Sequence, residues 1–106
     1  MITVNERARS HELYQNLVTA RPDLFRNDFG IEYITDINEI EKFETRTGER
    51  LGVLYQMNDY EIFAVDLLNK KGELTPHGRI ILPHNGVIIV PKVGDKFVLE
   101  DQYRYP

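Results

Sequence analysis

The chain has 106 residues, no cysteine, 42% hydrophobic and 28% charged residues, which suits one small domain that buries a core without disulfides or a zinc-thiolate site. Thirteen Lys and Arg against 17 Asp and Glu leave a net charge of -4, and the cations are scattered. That balance argues against binding a nucleic-acid backbone, which needs clustered cations to displace counterions. The opening stretch MITVNERARSHELYQ carries frequent charges, and it lacks the apolar run of a signal peptide or membrane span. A cytoplasmic protein with no membrane partner is expected.

In chain order, Thr3 and Glu6 stand at capping-box spacing ahead of RARSHELYQNLVTA, where Ala8, His11, Tyr14, Leu17 and Val18 recur at helical intervals. The spacing predicts a helix. Pro22 ends it, because proline disfavours helical geometry at Arg21 and lacks an N–H of its own, and a short helical turn from Asp23 is expected next. GIEYITD alternates as a strand. In DINEIEKFETRTGE, Asp36 and Glu39 repeat the capping-box spacing, Ile37, Ile40 and Phe43 form an apolar stripe, and Gly48 is placed to terminate a second helix.

From Leu51 the periodicity becomes that of strands. LGVLYQM and YEIFAVDLL flank Asn58 and Asp59, which suit a tight hairpin. The second run is apolar on both faces, with Ile62, Ala64 and Leu68 on one and Phe63, Val65 and Leu67 on the other. It is expected at the centre of a sheet, covered on both sides. NKKGE reads as a solvated turn, followed by the strands HGRIILP and NGVIIVP, a turn at Gly94 and Asp95, and a strand from Phe97 to Tyr103. The fold class expected is α+β: an amino-terminal helix or helices followed by a mostly antiparallel sheet of about five or six strands.

The residue types identify no reaction by themselves. His11, His77 and His84 have no metal-ligand spacing and are expected at the surface or in hydrogen bonds. The seven glycines fall singly, with no phosphate loop, and Ser10, the only serine, has no nucleophile-elbow setting. Asp66, inside an apolar strand, is expected to pair with a cation or cap a turn, since it has no visible partner as a general base. Phe63 and Tyr60 could stack on a base, but aromatics in such a strand more often fill a core.

The segment NGVIIVPKVGDKFVLEDQYRYP resembles the opening of a Nudix hydrolase domain of the ADP-ribose pyrophosphatase-like branch: an apolar strand ending in proline, a short turn, a second apolar strand, then Gln-aromatic-Arg-aromatic-Pro at Gln102 to Pro106. With the upstream TGERLGVLY, FAVDLL and GRIILP, the resemblance spans about residues 47–106. It implies a partial Nudix-type fold, with residues 1–50 as a helical amino-terminal extension carrying one strand and residues 51–106 as a β-rich segment that includes the first Nudix-like strands, packed as one compact unit. In that family the Nudix box follows, and its helix glutamates hold magnesium or manganese to polarise a diphosphate and activate water. No Arg-Glu or Glu-Glu dipeptide of such a box occurs here.

The resemblance therefore implies the amino-terminal, substrate-side or dimerisation portion of a nucleoside-diphosphate-linked pyrophosphohydrolase, inactive alone. Its implied partners are the remainder of the Nudix domain, a second copy in a homodimer and, in the parent enzyme, a nucleotide-type small molecule. No cofactor is expected in this chain, while magnesium or manganese is expected in the parent. Arg104 matches the arginine that approaches substrate phosphate, a role suited to the planar donors of a guanidinium. Arg79 is the second substrate-binding candidate, although Gly78-Arg79 departs from the Arg-Glu that the family shows there. The alternatives are a non-enzymatic interaction or regulatory module and, opposed by the scattered cations, a small barrel that stacks single-stranded nucleic acid on Tyr and Phe.

Overall fold

The computed structural model describes residues 2–27, 30–56, 61–82, 86–90, 92–93 and 96–97. A short strand β1 (Ile2–Thr3) leads into helix α1 (Arg7–Ala20), a 3-10 turn (Pro22–Phe25), strand β2 (Ile31–Ile34) and helix α2 (Ile37–Thr47). The remaining strands are β3 (Gly52–Gln56), β4 (Ile62–Lys70), β5 (Glu73–Ile81), β6 (Val87–Val90), β7 (Lys92–Val93) and β8 (Lys96–Phe97). This is the expected α+β arrangement, and every described strand pairing is antiparallel.

Local chemistry explains most boundaries. The Asp36 side chain accepts from the Asn38 N–H at 2.9 Å and caps α2, while Gly48 ends it in the left-handed region at φ 79°. The cap expected for α1 is different in the structure. Thr3 belongs to β1, and the helix starts after Glu6 with no side-chain cap. Pairing Thr3 with Tyr55 of β3 takes the backbone of Thr3 out of reach of a capping role. The α1 stripe faces inward at His11, Tyr14, Leu17 and Val18 as expected, but its first position differs, because Ser10 is buried while Ala8 is exposed. Polar partners on neighbouring elements make Ser10 a better inward residue than Ala8.

Six strands form the main sheet, in the order β1-β3-β4-β5-β6, with β2 also paired to β4. Strand β5 takes the whole of one β4 edge, from Ile62↔Ile81 to Lys70↔Glu73. The other edge is shared: β3 covers Ile62 to Val65 and β2 covers Leu67 to Lys70, with α2 linking the two. The β4 run from Phe63 to Leu68 is buried throughout, as a strand covered on both sides must be. Tyr14, Ile40, Phe43, Leu51, Val53, Phe63, Val65, Leu67, Ile80 and Val90 form one core. Each such aliphatic or aromatic side chain contributes about 1.5–3 kcal/mol on burial.

The NKKGE turn has Lys71 and Gly72 at φ 53° and 92°, the geometry of a two-residue hairpin whose twist matches its strands. Asn69 secures it by accepting the Gly72 N–H through Oδ1 at 2.8 Å. Strand β5 begins at Glu73, earlier than HGRIILP implied, and therefore contains Pro76. Proline survives there because β6 pairs with β5 only at Gly78–Ile81, so no described strand asks Pro76 for an outward N–H. The Asn58–Asp59 hairpin and the strand beyond Phe97 lie outside the described residues.

Candidate functional site

The densest polar chemistry lies inside the protein, where four elements meet. Asp66 is on β4 and Arg79 on β5, displaced by one same-face step, because Asp66 pairs with His77 and Ala64 with Arg79. Arg79 Nη2 donates to Asp66 Oδ1 at 3.2 Å, and Nε lies 2.7 Å from Oδ2. The second contact is an ion pair at close range but lacks the alignment of a hydrogen bond. From α1, the Tyr14 hydroxyl donates to Asp66 Oδ1 at 2.5 Å, while Arg79 Nη1 donates to the Leu24 carbonyl at 2.7 Å.

Aromatic rings close over the guanidinium. Its carbon lies 4.8 Å from the Phe25 ring centroid and 4.9 Å from that of Tyr33. Phe25 meets Tyr33 edge-on at 5.7 Å and Tyr14 at 5.4 Å. Asp66 and Arg79 are only 1% and 5% exposed. Burial pushes the Asp66 carboxyl above its ordinary range, opposed mainly by the Arg79 charge. The Tyr14 hydroxyl is pushed far up, first by burial and then by the neighbouring Asp66. Chemically, the arrangement holds charge in place and fastens the 3-10 turn and α1 onto the sheet. Asp66 has the cation partner expected of it, and Arg79 is engaged internally.

A second buried cluster ties α1 to α2 and β3. Glu44 Oε1 lies 2.8 Å from His11 Nε2 and 3.5 Å from Arg7 Nε, while Oε2 accepts the Leu51 N–H at 2.7 Å. Ser10 Oγ donates to the Leu51 carbonyl at 2.9 Å, so both polar groups of the Leu51 backbone are satisfied by side chains. The sequence reading missed Glu44, whose place beside Phe43 and four residues after Ile40 was its only signal.

His11 is thus a hydrogen-bonded histidine, and His77 is half-buried on β5, its pKa lowered by burial and by nearby Lys70. Phe63 is a core residue at 1% exposure, tilted against Tyr55 at 5.7 Å. Arg104, His84 and Tyr60 lie outside the described residues. No group of three or more His, Asp or Glu among the described residues is placed to hold a metal ion. No helix among them is long and apolar enough to cross a membrane. The grooves include one lined by Thr3, Val4, Arg9, Leu13 and Gln56, between β1 and α1. The chain matches no known protein family, curated protein or solved structure.

Proposed function

We propose that the chain is a non-catalytic sheet module of a cytoplasmic Nudix-type pyrophosphohydrolase, forming its substrate-side or dimerisation portion and inactive alone. The observation that carries this reading is the antiparallel β7/β8 pair, Lys92↔Phe97 and Val93↔Lys96, directly after the apolar strand β6. That order of strand, Pro91, turn and strand is the one that precedes the Gln-aromatic-Arg element in the resemblance. The catalytic glutamates and their magnesium or manganese would be supplied outside this sequence, and Arg104 would present its guanidinium to substrate phosphate. Arg79, bound to Asp66 and Leu24, serves packing in this reading.

A non-enzymatic interaction module is the second reading, favoured by the internal partners of both buried polar clusters, which leave neither arranged around a substrate. Two measurements test the proposal, and the second separates it from the non-enzymatic reading. The purified chain incubated with ADP-ribose and magnesium or manganese should release no AMP. In a protein that joins this sequence to a Nudix box, Arg104→Ala should lower kcat/KM by about ten- to a hundredfold with thermal melting unchanged, and Arg104→Lys should restore little. Sustained turnover by the chain alone, or full efficiency after Arg104→Ala, overturns the proposal.

A further inference from the structure

Residues 21–27 leave the end of α1 and pass over the Asp66–Arg79 pair as a short strap. None of Pro22–Phe25 is buried, and Pro22, Asp23, Arg26 and Asn27 are exposed. Bonds within the strap hold its shape: the Leu24 N–H donates to the Arg21 carbonyl at 3.0 Å, and Arg21 Nη2 lies 3.1 Å from Asp23 Oδ2. Its ties to the sheet include Arg79 Nη1 donating to the Leu24 carbonyl at 2.7 Å and the Tyr33 N–H donating to Asn27 Oδ1 at 3.1 Å, the second at an exposed position. The Phe25 ring completes the cover, against Tyr14, Tyr33 and the guanidinium.

What lies beneath decides how easily such a cover lifts. Apolar side chains gain nothing from water when they are uncovered, whereas a buried ion pair regains the hydration that burial took from it. Burial already pushes the Asp66 carboxyl up against the pull of Arg79, so the pair is held at a desolvation cost. The second polar cluster has no comparable route to water. Ser10, His11, Glu44 and the Leu51 backbone bond across α1, α2 and the entry of β3, and wetting them requires a whole helix to leave its place.

We propose that residues 21–27 form a strap that opens as a unit while the sheet stays folded, wetting the Asp66–Arg79 pair and freeing Arg79 Nη1 from the Leu24 carbonyl. Closed, the strap keeps the guanidinium engaged internally; open, it presents that group to solvent. A short segment without buried residues, tied down in part by an exposed hydrogen bond, belongs to the low-stability end of a fold, where local opening precedes global unfolding. The inference rests on this geometry and is independent of the Nudix reading.

Arg79 Nε is the reporter, because it is shielded from solvent and lies 2.7 Å from Asp66 Oδ2. Exchange of its N–H with water is followed by NMR in the full chain, beside the amides of Ala64 and Val65, which β4 holds between β3 and β5. Low urea should leave Arg79 exchange nearly unchanged, since lifting the strap exposes little surface, while the β4 amides accelerate steeply. Two variants locate the motion. Asn27→Ala removes the tie to Tyr33 and should speed Arg79 exchange about two- to tenfold. Ile40→Val loosens the core on α2 and should speed the β4 amides by about the same factor while leaving Arg79 unchanged. An Arg79 N–H that tracks the β4 amides in urea or in Ile40→Val opens only with the whole fold, and that result overturns the proposal. So does an Arg79 rate that Asn27→Ala leaves unmoved, or one already equal to that of free arginine.

Discussion

At the scale of single residues, the Asp66–Arg79 pair lies where burial makes charge costly and hydrogen bonding decides the outcome. Both groups have left water, and each compensates the other while Tyr14 and the Leu24 carbonyl take up further donors and acceptors. Removing one member leaves the other charged and unpaired. Arg79→Met should therefore destabilise the fold by about 3–5 kcal/mol, and Tyr14→Phe, which removes one donor, by about 1–3 kcal/mol. Replacing the group together, as Tyr14→Phe with Asp66→Leu and Arg79→Met, should return stability to within about 2 kcal/mol of the parent, since buried pairs can be exchanged for apolar packing. Denaturant unfolding of the three variants checks this. If Arg79→Met costs under about 1 kcal/mol, the pair does not hold the 3-10 turn and sheet together.

Between elements, α1 approaches β3 closely at Gly52. Gly52 has φ 96°, and a Cβ built there would stand 2.7 Å from Ser10 Oγ and 2.8 Å from the Ser10 carbonyl oxygen. Gly52→Ala adds overpacking to backbone strain and should cost about 2–4 kcal/mol by chemical unfolding. Because the carbonyl contact involves backbone, Ser10→Ala should not rescue it, and recovery in the double variant would show that the helix yields more than expected. This contact also shows what could be read before the structure. Gly48 and Asp36 act within a few residues of themselves, so their capping roles follow from spacing alone. The burial of β4 on both faces is likewise written in its run of apolar residues, Ile62 to Val65 and then Leu67 and Leu68, broken only by Asp66. Gly52 and Ser10 are 42 positions apart, and their mutual need for small size exists only once α1 lies on β3. Strand β1 has two residues, too few for any periodicity, and its pairing with β3 displaces the Thr3 cap that local spacing favoured. Tyr14 fitted an apolar stripe, while its hydroxyl answers to Asp66, which lies 52 positions along the chain. As for the candidate site, the cation partner of Asp66 was legible as a type of residue, and its identity as Arg79 required the β4/β5 register.

Over the whole molecule, these long-range ties run between residues 1–50 and the β-rich remainder. Strand β1 pairs with β3, β2 with β4, Tyr14 bonds Asp66, and Arg79 bonds Leu24. Arg50 donates to the Val4 and Asn5 carbonyls at 3.3 and 3.2 Å, joining the start of the chain to the entry of β3. If residues 1–50 were lost, β4 would lose its β2 partner on one edge and the core would lose Tyr14, Ile40 and Phe43. Neither segment has its own complete sheet and core, so the two should unfold together. Calorimetry should give one transition, with an enthalpy of roughly 70 kcal/mol near 60 °C for a chain of this length and equal calorimetric and van't Hoff values. Tyrosine fluorescence, which sums over the six tyrosines and includes buried Tyr14, should change with far-UV circular dichroism at the same denaturant concentration, and residues 51–106 expressed alone should not reproduce the transition. Two resolved transitions, or cooperative folding of 51–106 alone, would show that the amino-terminal helices are an appendage and not part of the sheet's stability.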